Sequence, residues 1–147
     1  MPTSKVFEGR LAFCSNFYPF EIEVDGLKFK TSEHAFAAGK TDDPNWIQKI
    51  QLAPTPASAK RIGKKCPIRE GWGKLRIDRM RKVLAAKFSQ GNEMSKLLLA
   101  TGDEELVEGN NWGDVYWGQV NGKGENWLGK LLMERREELR NGKSRYK

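Results

Sequence analysis

The chain has 147 residues, 38% hydrophobic and 31% charged, with five Trp. That is the length of one domain with enough apolar content for a core, and it excludes a disordered or fibrous chain. A formal net charge of +7 favours anionic partners without naming one.

No apolar run reaches membrane-spanning length, and Met1 to Glu8 lacks the hydrophobic segment of a signal peptide, so no membrane association is expected. Cys14 and Cys66 stand in no metal-ligand spacing and are too few for a disulfide framework. With His34 the sole histidine, zinc is not expected either. These features describe a cytoplasmic protein with free thiols.

In chain order, Ser15 to Phe20 is an aromatic and amide loop. Phe20 to Lys30 then reads as a hairpin around Asp25-Gly26, a type I′ turn signal that pairs Val24 with Leu27 and Ile22 with Phe29. All four apolar residues are predicted on one face, with Glu21, Glu23, Lys28 and Lys30 on the other. The hairpin feeds a helix that Thr31 or Ser32 can cap. On that helix Glu33, Phe36, Ala37 and Lys40 share one face by their i, i+3, i+4, i+7 spacing. A carboxylate and an amine roughly 10 Å apart then form one wall. They serve either a pocket or an ordinary solvated helix face.

Asp43-Pro44 predicts a helix through about Leu52, and Thr55-Pro56 another that ends at Gly63 as its C′ glycine. From Leu75 to Gln90, the set Ile77, Met80, Val83, Leu84 and Phe88 predicts a long amphipathic helix. Asn92 caps another with Met94, Leu97, Leu98 and Leu99; Leu106-Val107 is a short strand candidate. Asn126 caps the last helix, which buries Leu128, Leu131, Leu132 and Leu139, and a frayed basic tail begins at Arg140. Lys60, Arg61, Lys64 and Lys65, like Arg76, Arg79, Arg81 and Lys82, read by default as solvated faces, with phosphate binding the rival reading. The sum is a compact, mainly helical α+β domain with a small sheet.

Gly109 to Gly118 fits neither period. It carries Trp112, Tyr116 and Trp117 among glycines, Asn110, Asn111 and Asp114. Such aromatics either plug the core of an irregular loop or stack on a flat ligand such as a nucleobase. With the Ser15 loop and Arg69-Glu70-Gly71-Trp72, three such loops beside a Glu and Lys wall suggest a pocket for a planar, polar, anionic ligand. Asn121-Gly122-Lys123-Gly124 lacks the spacing of a phosphate loop and reads as a turn.

Several motifs occur together in a specific order: Ser15-Asn16-Phe17, Thr31 to Phe36 with Lys40, Ala59 to Gly63, Arg69 with Trp72, Ala86-Lys87-Phe88, Leu106 to Asn110, Asp114 to Gly118 and Asn126 to Met133. In that order the chain resembles the NADAR (NAD- and ADP-ribose-associated, YbiA-like) family from roughly Val6 to Arg140, which implies a single NADAR-like domain over residues 6–140 and a basic tail at 141–147. The resemblance implies N-glycosidase activity on ribosyl–base bonds, in early riboflavin-pathway intermediates or in guanine carrying ADP-ribose, in a nucleotide or in DNA. It also implies Glu33, Trp72, Asp114 and Trp117 as site residues and Lys40 as the family lysine that attacks the sugar carbon. Ala37-Ala38-Gly39 departs from the bulkier neighbours many members carry before that lysine, which puts substrate shape in question.

Cleaving a ribose–nitrogen bond builds positive charge on the anomeric carbon, which a carboxylate stabilises while an acid protonates the leaving nitrogen. Glu33 and Asp114 are the candidate carboxylates. Lys40 as nucleophile must be neutral, which burial or a neighbouring cation favours and a carboxylate opposes; its other reading is a partner for phosphate or carboxylate. Asn16, Phe17, Tyr116, Trp72 and Trp117 are expected at the base, and Arg61 or Arg69 at a phosphate. His34 points away from Glu33 on the helix and reads as a structural hydrogen-bonder. Such a reaction needs no metal or redox cofactor. The rivals are a module that binds ADP-ribose or a nucleotide without cleaving it, and a nucleic-acid-binding protein using the basic clusters.

Overall fold

The hairpin forms where the turn chemistry demands it. In a computed structural model that describes residues 7–142, Asp25 and Gly26 take φ of 55° and 80°, the left-handed values a type I′ turn needs. They join β1 (Ile22–Val24) to β2 (Leu27–Phe29), antiparallel, with Ile22 opposite Phe29 and Val24 opposite Leu27 as expected. Ile22, Val24 and Phe29 are buried, but Leu27 is 38% exposed, so the apolar face is one residue smaller than the alternation predicts.

The helices start at polar caps. Thr31, Asp43, Thr55 and Asn92 each accept a backbone N–H of the first turn, opening α1 (Ser32–Ala38), α2 (Pro44–Gln51), α3 (Pro56–Gly63) and α5 (Glu93–Ala100). The α4 helix (Trp72–Lys87) begins three residues earlier than its apolar period suggests, because the carbonyl of Gly71 accepts the N–H groups of Lys74 and Leu75. Phe88 lies beyond its end, buried edge-on against Phe13 at 6.2 Å. Leu97 is exposed where α5 was expected to bury it.

Four expectations need correcting. Gly63 is the last residue of α3 rather than a left-handed C′ residue, and Lys64 caps the helix. A Cβ there would lie 3.1 Å from that of Ala37, so glycine lets α3 approach α1. Leu106 and Val107 are buried yet form no strand among the described residues. Asn126 precedes α6 (Trp127–Asn141) at φ 54° without capping it. Its Oδ1 accepts Glu108 N–H at 2.9 Å and its Nδ2 donates to Leu106 C=O at 3.0 Å, satisfying the backbone that the strand would have paired. Arg140 likewise belongs to α6, where it pairs with Glu137 and Asp103; the remainder of the expected tail, from residue 143, lies outside the described residues.

The described residues fall into two compact units. One runs from Asn16 to Lys87 and packs α1 against α2, α3, α4 and the hairpin. The other joins the residues up to Ser15 to those from Phe88 onward, with α5 packed on α6 and on a short 3-10 helix at Gly9–Cys14. Cys14 and Cys66 are both buried, and neither is in a disulfide. No described helix is long and apolar enough to cross a membrane.

Candidate active-site residues

The α1 helix is buried from Ser32 to Ala38, its carboxylate included: Glu33 is 9% exposed. The preceding aromatic loop holds its start, since the Asn16 carbonyl accepts Glu33 N–H at 3.0 Å and Ser32 Oγ at 3.3 Å. The Asn16 side chain donates to Met80 Sδ at 3.8 Å, and its Oδ1 is buried without a hydrogen bond. Phe17 beside it is exposed.

Lys40 does not ride on α1. The last turn tightens, with Gly39 N–H to Phe36 C=O at 3.0 Å and Lys40 N–H to Ala37 C=O at 3.1 Å, so the helix stops at Ala38 and Lys40 follows in a turn. Glu33, Phe36 and Ala37 keep their shared face. Burial lowers the proton affinity of the Lys40 amine, and the nearby Lys60 and Lys64 ammoniums push the same way; Glu33 and Cys66 oppose them. The balance favours the neutral amine more than in an ordinary lysine.

Around this pair, Trp72 stacks obliquely on Phe36, ring centres 5.4 Å apart at 53°. Arg69 is tied to the Lys40 turn: its N–H donates to Lys40 C=O at 2.7 Å, and its guanidinium reaches Thr41 C=O and Asp42. Its Nε is buried without a hydrogen bond. Arg61 is exposed on α3. His34 is fully buried and structural in its contacts: Nε2–H donates to Ala53 C=O at 2.9 Å, so Nδ1 accepts the Thr31 hydroxyl at 2.8 Å. Burial lowers its proton affinity as well.

In the other unit, Asp114 organises the aromatic loop. Its Oδ1 accepts the N–H groups of Tyr116 at 3.0 Å and Trp117 at 2.9 Å. Asn110 closes the loop from the opposite side, accepting Asp114 N–H at 3.0 Å and donating to Asp114 C=O at 2.9 Å. Tyr116 meets Trp117 edge-on at 5.0 Å, and both are half-buried. Trp112 is 59% exposed, so it is not a core plug.

The site reading missed Arg79. The basic run around it reads as a solvated face, yet Arg79 is largely buried, donating through Nε and Nη2 to Ala35 C=O and through Nη1 to Asp25. The signal was Gly39, a glycine at the end of an alanine run with no turn to require it.

The NADAR domain model matches residues 6–140, and the chain belongs to this family. The N-glycosidase YbiA of Shigella boydii is 45% identical over 128 residues, covering 85% of this chain and 79% of that protein. A riboflavin biosynthesis protein of Vibrio vulnificus is 39% identical over 130 residues, 86% of this chain but 35% of that protein. The NMR structure of Escherichia coli YbiA superposes with a TM-score of 0.81 at 39% identity, covering 96% of this chain and 89% of that one.

Proposed function

We propose that this NADAR protein is an N-glycosidase, a cytoplasmic enzyme that hydrolyses the bond between ribose and a nucleobase-like group. Its substrates are riboflavin-biosynthesis intermediates or guanine carrying ADP-ribose, in a nucleotide or in DNA. Glu33 supplies a carboxylate to the developing oxocarbenium charge, and Asp114 is the second acid assigned by family resemblance. Lys40 attacks the anomeric carbon as a free amine, the bond to the base breaks and the base leaves with a proton, and water then releases the sugar and restores the amine. Asn16, Phe17, Trp72, Tyr116 and Trp117 contact the base and sugar, and Arg61 and Arg69 bind phosphate.

The half-buried Lys40 amine, its proton affinity lowered although Glu33 acts against that, is the observation that carries this reading. A lysine kept only to grip phosphate gains nothing from losing its charge. The Vibrio relative's name favours the metabolite over the nucleic acid as substrate class.

Incubation with a ribosylated pyrimidine phosphate and, separately, with ADP-ribosylated guanine tests it, released base and sugar being followed by mass spectrometry. Free base is expected from at least one. Glu33→Gln is expected to lower that release by ~100-fold or more with an unchanged circular dichroism spectrum. Binding of ADP-ribose without release from either substrate would make the protein a binding module instead.

A further inference from the structure

The tightened end of α1 has a cost that one side chain offsets. In a continuing helix Gly39 N–H would bond Ala35 C=O, but here it turns to Phe36, leaving the Ala35 carbonyl without its helical donor. Arg79 supplies two: Nε at 3.2 Å and Nη2 at 2.7 Å. Its Nη1 reaches 2.7 Å to Asp25 in the hairpin turn, a carboxylate that Lys82 also holds. The arginine thus ties α4 to both α1 and the β-turn.

Its path runs over Gly39. A Cβ at that position would lie 2.7 Å from Arg79 Cγ and Cδ and closer still to Nε. Gly39 has φ −69°, an ordinary helical value, so glycine is required for room and not for backbone freedom. We propose that Arg79 is a positioning residue, seated in the groove that Gly39 leaves open, which stops α1 at Ala38 and thereby sets where Lys40 presents its amine. The proposal rests on the glycosidase reading for its purpose. Without the arginine, α1 is free to take up its last regular hydrogen bond, and each added helical residue turns the chain by about 100°. Lys40 would then leave its half-buried place.

The charged groups acting on Lys40 are Glu33 on α1, Lys60 on α3, and Lys64 and Cys66 after it; those acting on Arg79 are Asp25 and Arg69. None needs to change for the geometry to be tested. Arg79→Lys keeps the cation and loses the paired donation to Ala35. Gly39→Ala keeps the arginine and blocks its seat.

The readout is the acylation rate of Lys40 by acetic anhydride across pH, site by site by mass spectrometry, with exposed Lys74 as internal standard. Both variants are expected to move the Lys40 profile upward in pH, so that its reactivity near pH 8 falls ~5- to 10-fold relative to Lys74. Folded Arg79→Lys protein with a wild-type Lys40 profile would overturn the proposal, as would a lowered melting temperature with no change at Lys40. If Gly39→Ala does not fold, Arg79→Lys decides alone. No substrate enters the measurement. Lack of base release from any substrate would therefore defeat the glycosidase reading and leave this result standing, whereas an unmoved Lys40 profile in an active enzyme defeats only the positioning role.

Discussion

In α1 every residue from Ser32 to Ala38 is buried, and Glu33 and His34 are held by neighbours from outside the helix: the Asn16 carbonyl, the Ala53 carbonyl and, behind them, Arg79 on Ala35. In the loop from Gly109 to Gly118, the side-chain ties come from within, while the backbone N–H groups of Glu125 to Leu128 hold the carbonyls of Val115 to Gly118. Asn110 and Asp114 bond backbone groups at most nine residues away, while Trp112 and Val115 stand exposed. A polar group in the first region is fixed by packing and loses stability when its surroundings loosen. In the second, the Asp114 carboxylate shares the shape-holding with the Asn110 amide, so one residue combines scaffold and candidate chemistry.

The largest effect is expected where a side chain replaces a strand. Asn126→Ala orphans Glu108 N–H and Leu106 C=O in a buried place and keeps an unfavourable left-handed φ. It should cost ~3 kcal/mol in denaturant unfolding. A loss below about 1 kcal/mol would mean that the loop region does not depend on long-range polar clamps.

Asp114 separates scaffold from chemistry. Asp114→Asn retains an oxygen for the Tyr116 and Trp117 amides, so the melting temperature should stay near wild type while base release falls ~100-fold. Asp114→Ala should lose both. Equal activity in Asp114→Asn and wild type would reduce Asp114 to a loop tie.

The smallest effect concerns pH. Burial holds His34 below its ordinary value of 6.5, so the unfolded chain takes up a proton before the folded one does. Stability therefore falls as pH drops below about 6.5 and the loss continues down to the folded value, by up to ~1 kcal/mol per pH unit. His34→Gln, whose amide can still donate to Ala53, should flatten that part of the melting-temperature profile. An unchanged profile would mean that α1 tolerates a charged imidazole and is less tightly packed than the contrast with the loop implies.

What the residues announce by themselves came through. The Asp25-Gly26 turn set the hairpin register, and the caps at Thr31, Asp43, Thr55 and Asn92 set four helix starts, because each is decided within a few residues. Features decided across the chain did not. Nothing near Leu106 tells that its carbonyl will be met by an asparagine twenty residues on, and nothing in the basic run tells that Arg79 crosses to Ala35. Gly63 looked like a helix stop because glycine serves that role so often; here its value lies in the neighbour it admits. Among the proposed site residues, Glu33 was legible as an N-terminal acid on an apolar helix, whereas the pull of Lys60 and Lys64 on Lys40 depends on α3 lying against α1.

That admission at Gly63 reaches further than packing. A methyl at that position would lie 3.7 Å from the Lys40 stem, and its absence, which lets α3 close on Ala37, keeps Lys60 and the capping Lys64 within electrical range of the Lys40 amine. A valine there would wedge the two helices apart and bring the proton affinity of the amine back toward that of an ordinary lysine. A residue with no side chain at all thus helps to set how strongly a neighbouring amine holds its proton.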